Sequence, residues 1–298
     1  MKKKPSIMNW LLVIRPWSFS VSALPAFVAF MYSIHTHATY NWQLGVLAIV
    51  GAIIFHAGGN LLSDLNDFKK GVDQIDKQGG TDSLTGGLFT AKQILLYGSS
   101  LIAVGILLGV YLVSQTGKEL LWIGVIGTIG AVFYSFFKYR ALGDFLIFII
   151  YGPTIMLGTG YVMIGSIDWN LFLVSLPMTF ITVNVLHANN TRDQRSDRYA
   201  EIKTFAMLLG TKASVYHYYF LTGLSYLSVI VMVVFNILPL ATLATLLTFP
   251  IAYQNCKSMH EAVGEDMNTI SNLDLATAKL QTIFSLLMSS ALIISSVI

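Results

Sequence analysis

Charge is what this sequence has least of. Its 18 basic and 15 acidic residues make up only 11% of 298 positions, against about 25% in an average soluble protein. Apolar residues supply 55%. A soluble domain of this size needs a far more charged surface to stay dispersed. The composition excludes an ordinary soluble enzyme, a disordered chain and a nucleic-acid binder with a basic face. Cysteine is nearly absent as well. Cys256 stands alone, so the chain has no internal disulfide and no multi-cysteine zinc site. Ten-residue stretches of alternating hydrophobicity, the mark of a membrane β-barrel, are missing too. Lys2, Lys3 and Lys4 look like the start of a secretory signal. The apolar stretch after them is broken by Arg15-Pro16 and lacks a small-residue cleavage site, so a retained helix is expected.

What is present is length of apolar run. Crossing a hydrocarbon core takes roughly 20 apolar residues as a helix. Nine segments qualify, at about 13–33, 44–62, 94–115, 120–137, 142–164, 170–189, 215–237, 239–255 and 279–297. The expected fold is all-α, a polytopic bundle of nine transmembrane helices in a single domain over 1–298. With nine crossings, 17 of the 18 basic residues fall on one side of the bilayer and only Lys118 on the other. The positive-inside rule then puts the N-terminus and that side in the cytoplasm, and the C-terminus outside. The expected location is the cell (inner) membrane. The expected surroundings are lipid bilayer, with no nucleic acid and no required protein partner evident.

The remaining charge is concentrated. Asn60, Asp64 and Asp67 are spaced i, i+4, i+7 at the end of the second span and share one helix face. Asn189, Asp193 and Asp197 repeat the pattern at i, i+4, i+8 at the end of the sixth. An offset of four spans sets both clusters on the same membrane face, as an internal duplication would. Carboxylates at the end of a membrane helix are costly unless solvated, paired or bound to cations. One such cluster reads as a solvated helix boundary. Two matched clusters on one face read as a site for hard divalent cations. Mg²⁺ typically takes one or two carboxylates, waters and phosphate oxygens, so the two helix ends suit a diphosphate held through Mg²⁺ with Lys and Arg nearby.

These motifs resemble the UbiA superfamily of intramembrane prenyltransferases. The likeness covers essentially the whole chain. It rests on Asn60-x3-Asp64-x2-Asp67-x5-Asp73, on Asn189-Asn190-x-Arg192-Asp193-x3-Asp197, on Tyr134-x3-Lys138 and on Arg15-Pro16. Many members carry an Asp four residues after the middle one of the first motif. Here that position is Gly71, and Asp73 follows. This Gly-Val-Asp form, Tyr139-Arg140-x2-Gly143-Asp144, Tyr151-Gly152-Pro153 and Asn-Asn-x-Arg-Asp resemble the 1,4-dihydroxy-2-naphthoate polyprenyltransferase branch, which serves menaquinone or phylloquinone synthesis.

The resemblance implies an allylic polyprenyl diphosphate donor, an aromatic acceptor and Mg²⁺. On that basis Asp64, Asp67, Asp193 and Asp197, with Asn60, are expected to hold metal. Asn60 and Asn190 are expected to bind or orient, and Lys138 to pair with diphosphate oxygens. Arg15, Lys69, Arg192 and Lys203 are further candidates for the diphosphate. Asp67 or Asp73 is the expected base. Tyr134 faces the same way as Lys138; its ring suits an allylic cation and its hydroxyl a phosphate, while the bland reading is an interfacial belt residue. His187 or His56 is a candidate for the acceptor's carboxylate, or simply a hydrogen-bonded helix residue. Tyr139 and Tyr151 read as belt or packing residues. Arg195 and Arg198 read as topology signals or lipid contacts.

Overall fold

Arg15 precedes a proline, and a residue in that position is pushed out of the right-handed helical region. In the computed structural model, which describes residues 4–72, 82–264 and 267–297, Arg15 adopts a left-handed backbone (φ 58°) and the first apolar stretch breaks there. The short helix α1 (Ile7–Leu12) ends before it and α2 (Ser20–Thr36) follows, with a 59° bend between the two limbs. The long helix α3 (Trp42–Lys70) is capped by the Asn41 side chain, which accepts from the Leu44 N–H, and is stopped at Gly71, whose φ of 73° suits glycine.

A four-residue turn, α4 (Asp82–Thr85), leads to α5 (Ala91–Thr116), which opens with a Thr90/Gln93 capping box. Helix α6 (Glu119–Lys138) returns antiparallel to it. Next, α7 (Gly143–Ile149) and α8 (Ile155–Ile164) are joined by a π-type turn over Ile150–Thr154. Pro153 lies inside that turn and has no N–H to give. Helix α9 (Asn170–Arg192) carries the second motif into the short α10 (Gln194–Tyr199). Helix α11 (Phe205–Val234) begins ten residues before the expected span and is kinked at Gly210. Then come a 3₁₀ segment (Leu240–Thr248), α12 (Phe249–Glu261), two short 3₁₀ turns and α13 (Leu273–Val297). Every regular element among the described residues is helical.

Among the described residues, seven helical spans are long and apolar enough to cross a bilayer: α3, α5, α6, α7–α8 as one, α9, α11 and α13. The bent α1–α2 limb makes eight. The ninth expected span, 239–255, is not one helix. Thr242, Thr245 and Thr248 recur every three residues, and each hydroxyl donates to the carbonyl three positions back (2.7, 2.8 and 2.7 Å). That spacing eclipses side chains on a 3₁₀ helix, and these three are fully buried.

The core lies between α2, α8, α9, α11 and α13, around Met156, Met178, Phe284 and Met288. The outer faces of α5 and α6 are unpartnered, with Leu107 70% and Trp122 75% exposed, which makes them lipid-facing surface. The motif helices occupy matching places: α3 packs along α5 and α9 along α11, the two most extensive pairings. This correspondence fits the duplication suggested by the motif spacing.

Gly152, in the π-type turn, is needed for close approach. A β-carbon there would lie 1.9 Å from Thr179 Oγ1 on α9. Gly152→Ala is expected to cost about 1–3 kcal/mol through overpacking, read as a lower thermal midpoint of the detergent-solubilised protein. Gly109→Ala, where the added methyl meets nothing within 4 Å, should leave the midpoint at or above wild type.

Candidate active site

The last turns of α3 place Asn60, Asp64 and Asp67 on the lining of one cavity of about 730 Å³. Asp64 and Asp67 are only 3% and 7% exposed, so each needs a partner. Arg15 supplies one: its Nη2 lies 2.5 Å from Asp64 Oδ1. The break at Arg15-Pro16 is what aims the guanidinium inward, and Asn60 pins it by donating to the Ile14 carbonyl (3.2 Å) and to Ser18 Oγ (3.1 Å). Arg15 Nε is buried with no hydrogen-bond partner, a charged donor left over on the cavity wall. Asp67 is held twice. Lys138 Nζ at the end of α6 donates to Oδ2 (3.1 Å), and the Tyr139 hydroxyl donates to Oδ1 (2.5 Å). Burial, and then the adjacent Asp67 carboxylate, push the Tyr139 phenol well above its ordinary pKa, so it remains a donor.

The second motif approaches from α9. Asp193 and Asp197 are 8% and 1% exposed. Arg192 bonds Asp193 (2.9 Å), Asp274 at the start of α13 (3.1 Å), the Ser271 carbonyl (2.9 Å) and Asn189 Oδ1. Asp197 lies within charge range of Lys138, which therefore stands between the two motifs. Asn189 and Asp274 line the cavity. Asn190 turns away from it: its Nδ2 donates to Asp144 Oδ1 at 3.4 Å, while its Oδ1 is buried without a partner.

The rest of the cavity is apolar. Along α3 its lining runs from Ala48 to Asp67 and along α6 from Leu120 to Lys138, about 28 Å at 1.5 Å per residue. The charged groups gather at one end, and Leu112, Leu120, Ile123 and Val162 line the other. Tyr134, one turn inward from Lys138, sits at the junction. So do Tyr151 and His56, whose rings meet edge-on at 5.0 Å. Ser22 Oγ holds His56 Nδ1 at 2.9 Å.

Several expected site residues are placed elsewhere. Lys69 is exposed and does not line the cavity. Lys203 is exposed too. Its backbone, not its ammonium, is engaged: it bridges the loop after α6, accepting from the Ala141 N–H (2.7 Å) and donating to the Tyr139 carbonyl (3.2 Å). Arg192 is consumed by carboxylates and carbonyls on the wall. His187 is fully buried on Asp144 (2.7 Å) behind α9, away from the cavity. Asp73 lies outside the described residues. Conversely, Tyr139, Asp144, Asp274 and Tyr151 take structural parts that sequence reasoning did not give them.

The arrangement suits a cation. Asp64, Asp67 and Asp274 line the cavity with Arg15 and Lys138; Asp193 and Asp197 do not line it but lie close by, Asp193 on Arg192 and Asp197 within charge range of Lys138. Carboxylates gathered in this way offer hard oxygen donors to a divalent metal. Once metal is present, the leftover Arg15 donor and Lys138 can meet phosphate oxygens. The donor set therefore fits Mg²⁺.

A family model described as the UbiA prenyltransferase family matches residues 15–261. The human UbiA prenyltransferase domain-containing protein 1 is 30% identical over 251 residues, covering 82% of this chain and 73% of that protein. Its Gallus gallus counterpart is 31% identical over 250 residues, covering 82% and 74%. Among solved structures, the apo form of a UbiA homolog from Aeropyrum pernix K1 superposes with a TM-score of 0.71 at 13% identity, over 92% of this chain and 97% of that one. An Archaeoglobus fulgidus UbiA homolog bound to GPP and Mg²⁺ gives 0.62 at 14% identity, over 94% and 99%.

Proposed function

The chain belongs to the UbiA prenyltransferase family, and from that premise we propose that it transfers a polyprenyl group from an allylic diphosphate to 1,4-dihydroxy-2-naphthoate, with Mg²⁺, at the cytoplasmic face of the cell membrane. The observation that carries this reading is the cavity. A cluster of carboxylates and cations at one end opens onto an apolar lining about 28 Å long. That shape matches an amphiphile with an anionic head and a long hydrocarbon tail. The Archaeoglobus homolog has been solved with GPP and with DMAPP, each together with Mg²⁺.

In this reading Asp64, Asp67, Asp193 and Asp197, with Asn60, hold the metal, and Mg²⁺ when bound neutralises charge on the diphosphate leaving group. Arg15 turns its unpartnered Nε–H to a phosphate oxygen, and Lys138 serves the oxygens at the other side. The bond between C1 of the prenyl group and the diphosphate oxygen breaks, and its electron pair leaves with the diphosphate. The Tyr134 ring faces the allylic cation so formed. A carboxylate, Asp67 or Asp73, takes a phenolic proton from the acceptor as the ring carbon that bears the acceptor's carboxylate bonds to C1. The acceptor carboxyl departs as CO₂, its bonding pair restores the aromatic ring, and the proton returns to oxygen to give the quinol. His56, on the cavity wall, is the histidine placed to meet the acceptor. The naphthoate assignment rests on the Gly71-Val72-Asp73 and Asn189-Asn190-x-Arg192-Asp193 forms of the motifs.

The same proposal retains nine crossings. A 3₁₀ helix rises about 2.0 Å per residue, so 240–248 followed by the α-helical 249–255 reaches about 28 Å, enough for a bilayer core. The N-terminus is then cytoplasmic.

The test is an acceptor panel. Purified protein in liposomes receives an allylic diphosphate with dihydroxynaphthoate, 4-hydroxybenzoate, homogentisate or glyceryl phosphate, and prenylated product is measured. Product with the naphthoate alone is expected, lost on chelation of divalent metal and restored by Mg²⁺. Preference for another acceptor would overturn the naphthoate assignment. Ion flux without product would favour a transporter instead.

A further inference from the structure

The proposed transfer leaves one buried cluster unused. Asp144 opens α7 and is 6% exposed. A carboxylate buried to that degree calls for a cation. Among the described residues its ion-pair partner is His187 alone, on α9, with Nδ1 2.7 Å from Oδ2. When His187 gives its Nδ1 proton to that bond, Nε2 carries a lone pair. That Nε2 is buried with no hydrogen-bond partner. His217, on α11, stands beside it, the two ring centroids 4.6 Å apart, and its Nε2 is likewise buried and unpartnered. Asp144, His187 and His217 each bring one ligand atom, and the three atoms lie within 4.8 Å of one another. Asn190 donates to Asp144 Oδ1 at 3.4 Å, and its own Oδ1 is a third buried atom without a partner. The Phe205 ring covers both histidines, with centroids 6.1 and 5.4 Å away.

We propose that Asp144, His187 and His217 hold a zinc ion, a structural clamp separate from the carboxylates of the two motifs. Two imidazoles with one carboxylate suit Zn²⁺, whereas Mg²⁺ takes all-oxygen shells. Zinc bonds of about 2.0–2.2 Å set ligand atoms roughly 3.3 Å apart, so each of the three side chains closes inward by about 1 Å. The Asn190 side-chain oxygen is available for the fourth position of a tetrahedral site. The ion gives Asp144 a full counter-charge and gives the histidine lone pair a partner. None of the three ligands lines the cavity, which makes the role structural. The ligands come from three helices, α7, α9 and α11. His187 lies six residues before Asp193, about 9 Å along the chain axis, so the clamp fixes the helix that carries the second motif. It does not depend on which donor or acceptor the enzyme uses.

The test counts metal. The full chain is purified in detergent with Mg²⁺ in excess and no chelator, and its metals are measured by mass spectrometry. Wild type should carry about one zinc per chain, or take it up on dialysis against zinc. A zinc-selective chelator should lower its thermal midpoint by several degrees and added zinc should restore it, since an ion bound only by the folded state stabilises that state. His217→Ala and Asp144→Asn should hold about fivefold less zinc or lower still, and their midpoints should not respond to the chelator. Asp64→Ala should keep its zinc, which separates the clamp from the motif carboxylates. Cobalt exchange in the wild type reads the same ligands without any substitution: four-coordinate Co²⁺ on nitrogen and oxygen is intensely coloured, six-coordinate Co²⁺ on oxygen is pale. A wild type that neither carries nor takes up zinc would overturn the clamp. So would zinc retained in both His217→Ala and Asp144→Asn, zinc lost from Asp64→Ala, or a pale six-coordinate cobalt spectrum.

Discussion

Asp64→Ala and Asp193→Ala are each expected to lower prenyl transfer by on the order of a hundred- to a thousandfold, with membrane insertion intact. The two residues lie 129 positions apart, Asp64 near the end of α3 and Asp193 just after α9. Each is nearly buried and each is bonded to an arginine, Arg15 for Asp64 and Arg192 for Asp193. Removing either carboxylate does two things. It withdraws a hard oxygen donor from the proposed metal site, and it removes a counter-charge from a guanidinium, although Arg192 keeps Asp274. A charge-neutral replacement separates the two effects from gross misfolding. Asp64→Asn keeps the volume and one oxygen for Arg15, so the protein should remain monodisperse while its Mg²⁺ requirement shifts to higher concentration. The Arg198→Ala control is exposed and outside the cavity, and surface changes of that kind usually stay within about 0.5 kcal/mol. It should behave as wild type. Turnover of Asp64→Ala or Asp193→Ala within a few-fold of wild type would sink the metal assignment.

The placement of Asp64 and Asp67 was legible in the sequence because lipid penalises misplaced charge so heavily. Helix periodicity alone puts Asn60, Asp64 and Asp67 on one face, and all three line the cavity. What local spacing cannot show is who answers each charge across the fold. Tyr139 reaches Asp67 over 72 positions and Arg192 reaches Asp274 over 82. Neither partner leaves a periodic trace. Proximity in sequence misled at Lys203, which follows the second motif closely but has its backbone tied to the loop after α6 and its side chain in solvent. His187 lies among the right residues but on the wrong side of α9, committed to Asp144. Hydropathy found 239–255 as an apolar run and could not see that threonines spaced by three wind it into a 3₁₀ helix. Chemistry that repeats along one helix was readable. Chemistry assembled from several helices required the fold.

Lys138→Met tests that assembled part most sharply. Lys138 is 8% exposed, donates to Asp67 at 3.1 Å and lies within charge range of Asp197. Its removal should abolish prenyl transfer, since the ammonium is the cation shared by both motifs and is placed to meet the leaving diphosphate. It should also lower stability. Breaking a buried ion pair from one side costs about 3–5 kcal/mol, because the partner charge remains buried and uncompensated. Here Asp67 would lose the cation at 3.1 Å and keep the Tyr139 hydroxyl. The double variant Lys138→Met/Asp67→Asn distinguishes the two losses. With both charges gone, Tyr139 can still donate to the amide oxygen at residue 67, and the desolvation penalty disappears. Thermal midpoint should therefore return most of the way to wild type while transfer stays absent. If Lys138 were merely a neutral packing element, the single variant would keep its midpoint and its turnover would stay within a few-fold of wild type. If the lysine served stability alone, the double variant would regain both stability and activity. Only recovery of the fold without recovery of chemistry fits a lysine that holds Asp67 at rest and turns to phosphate when donor binds.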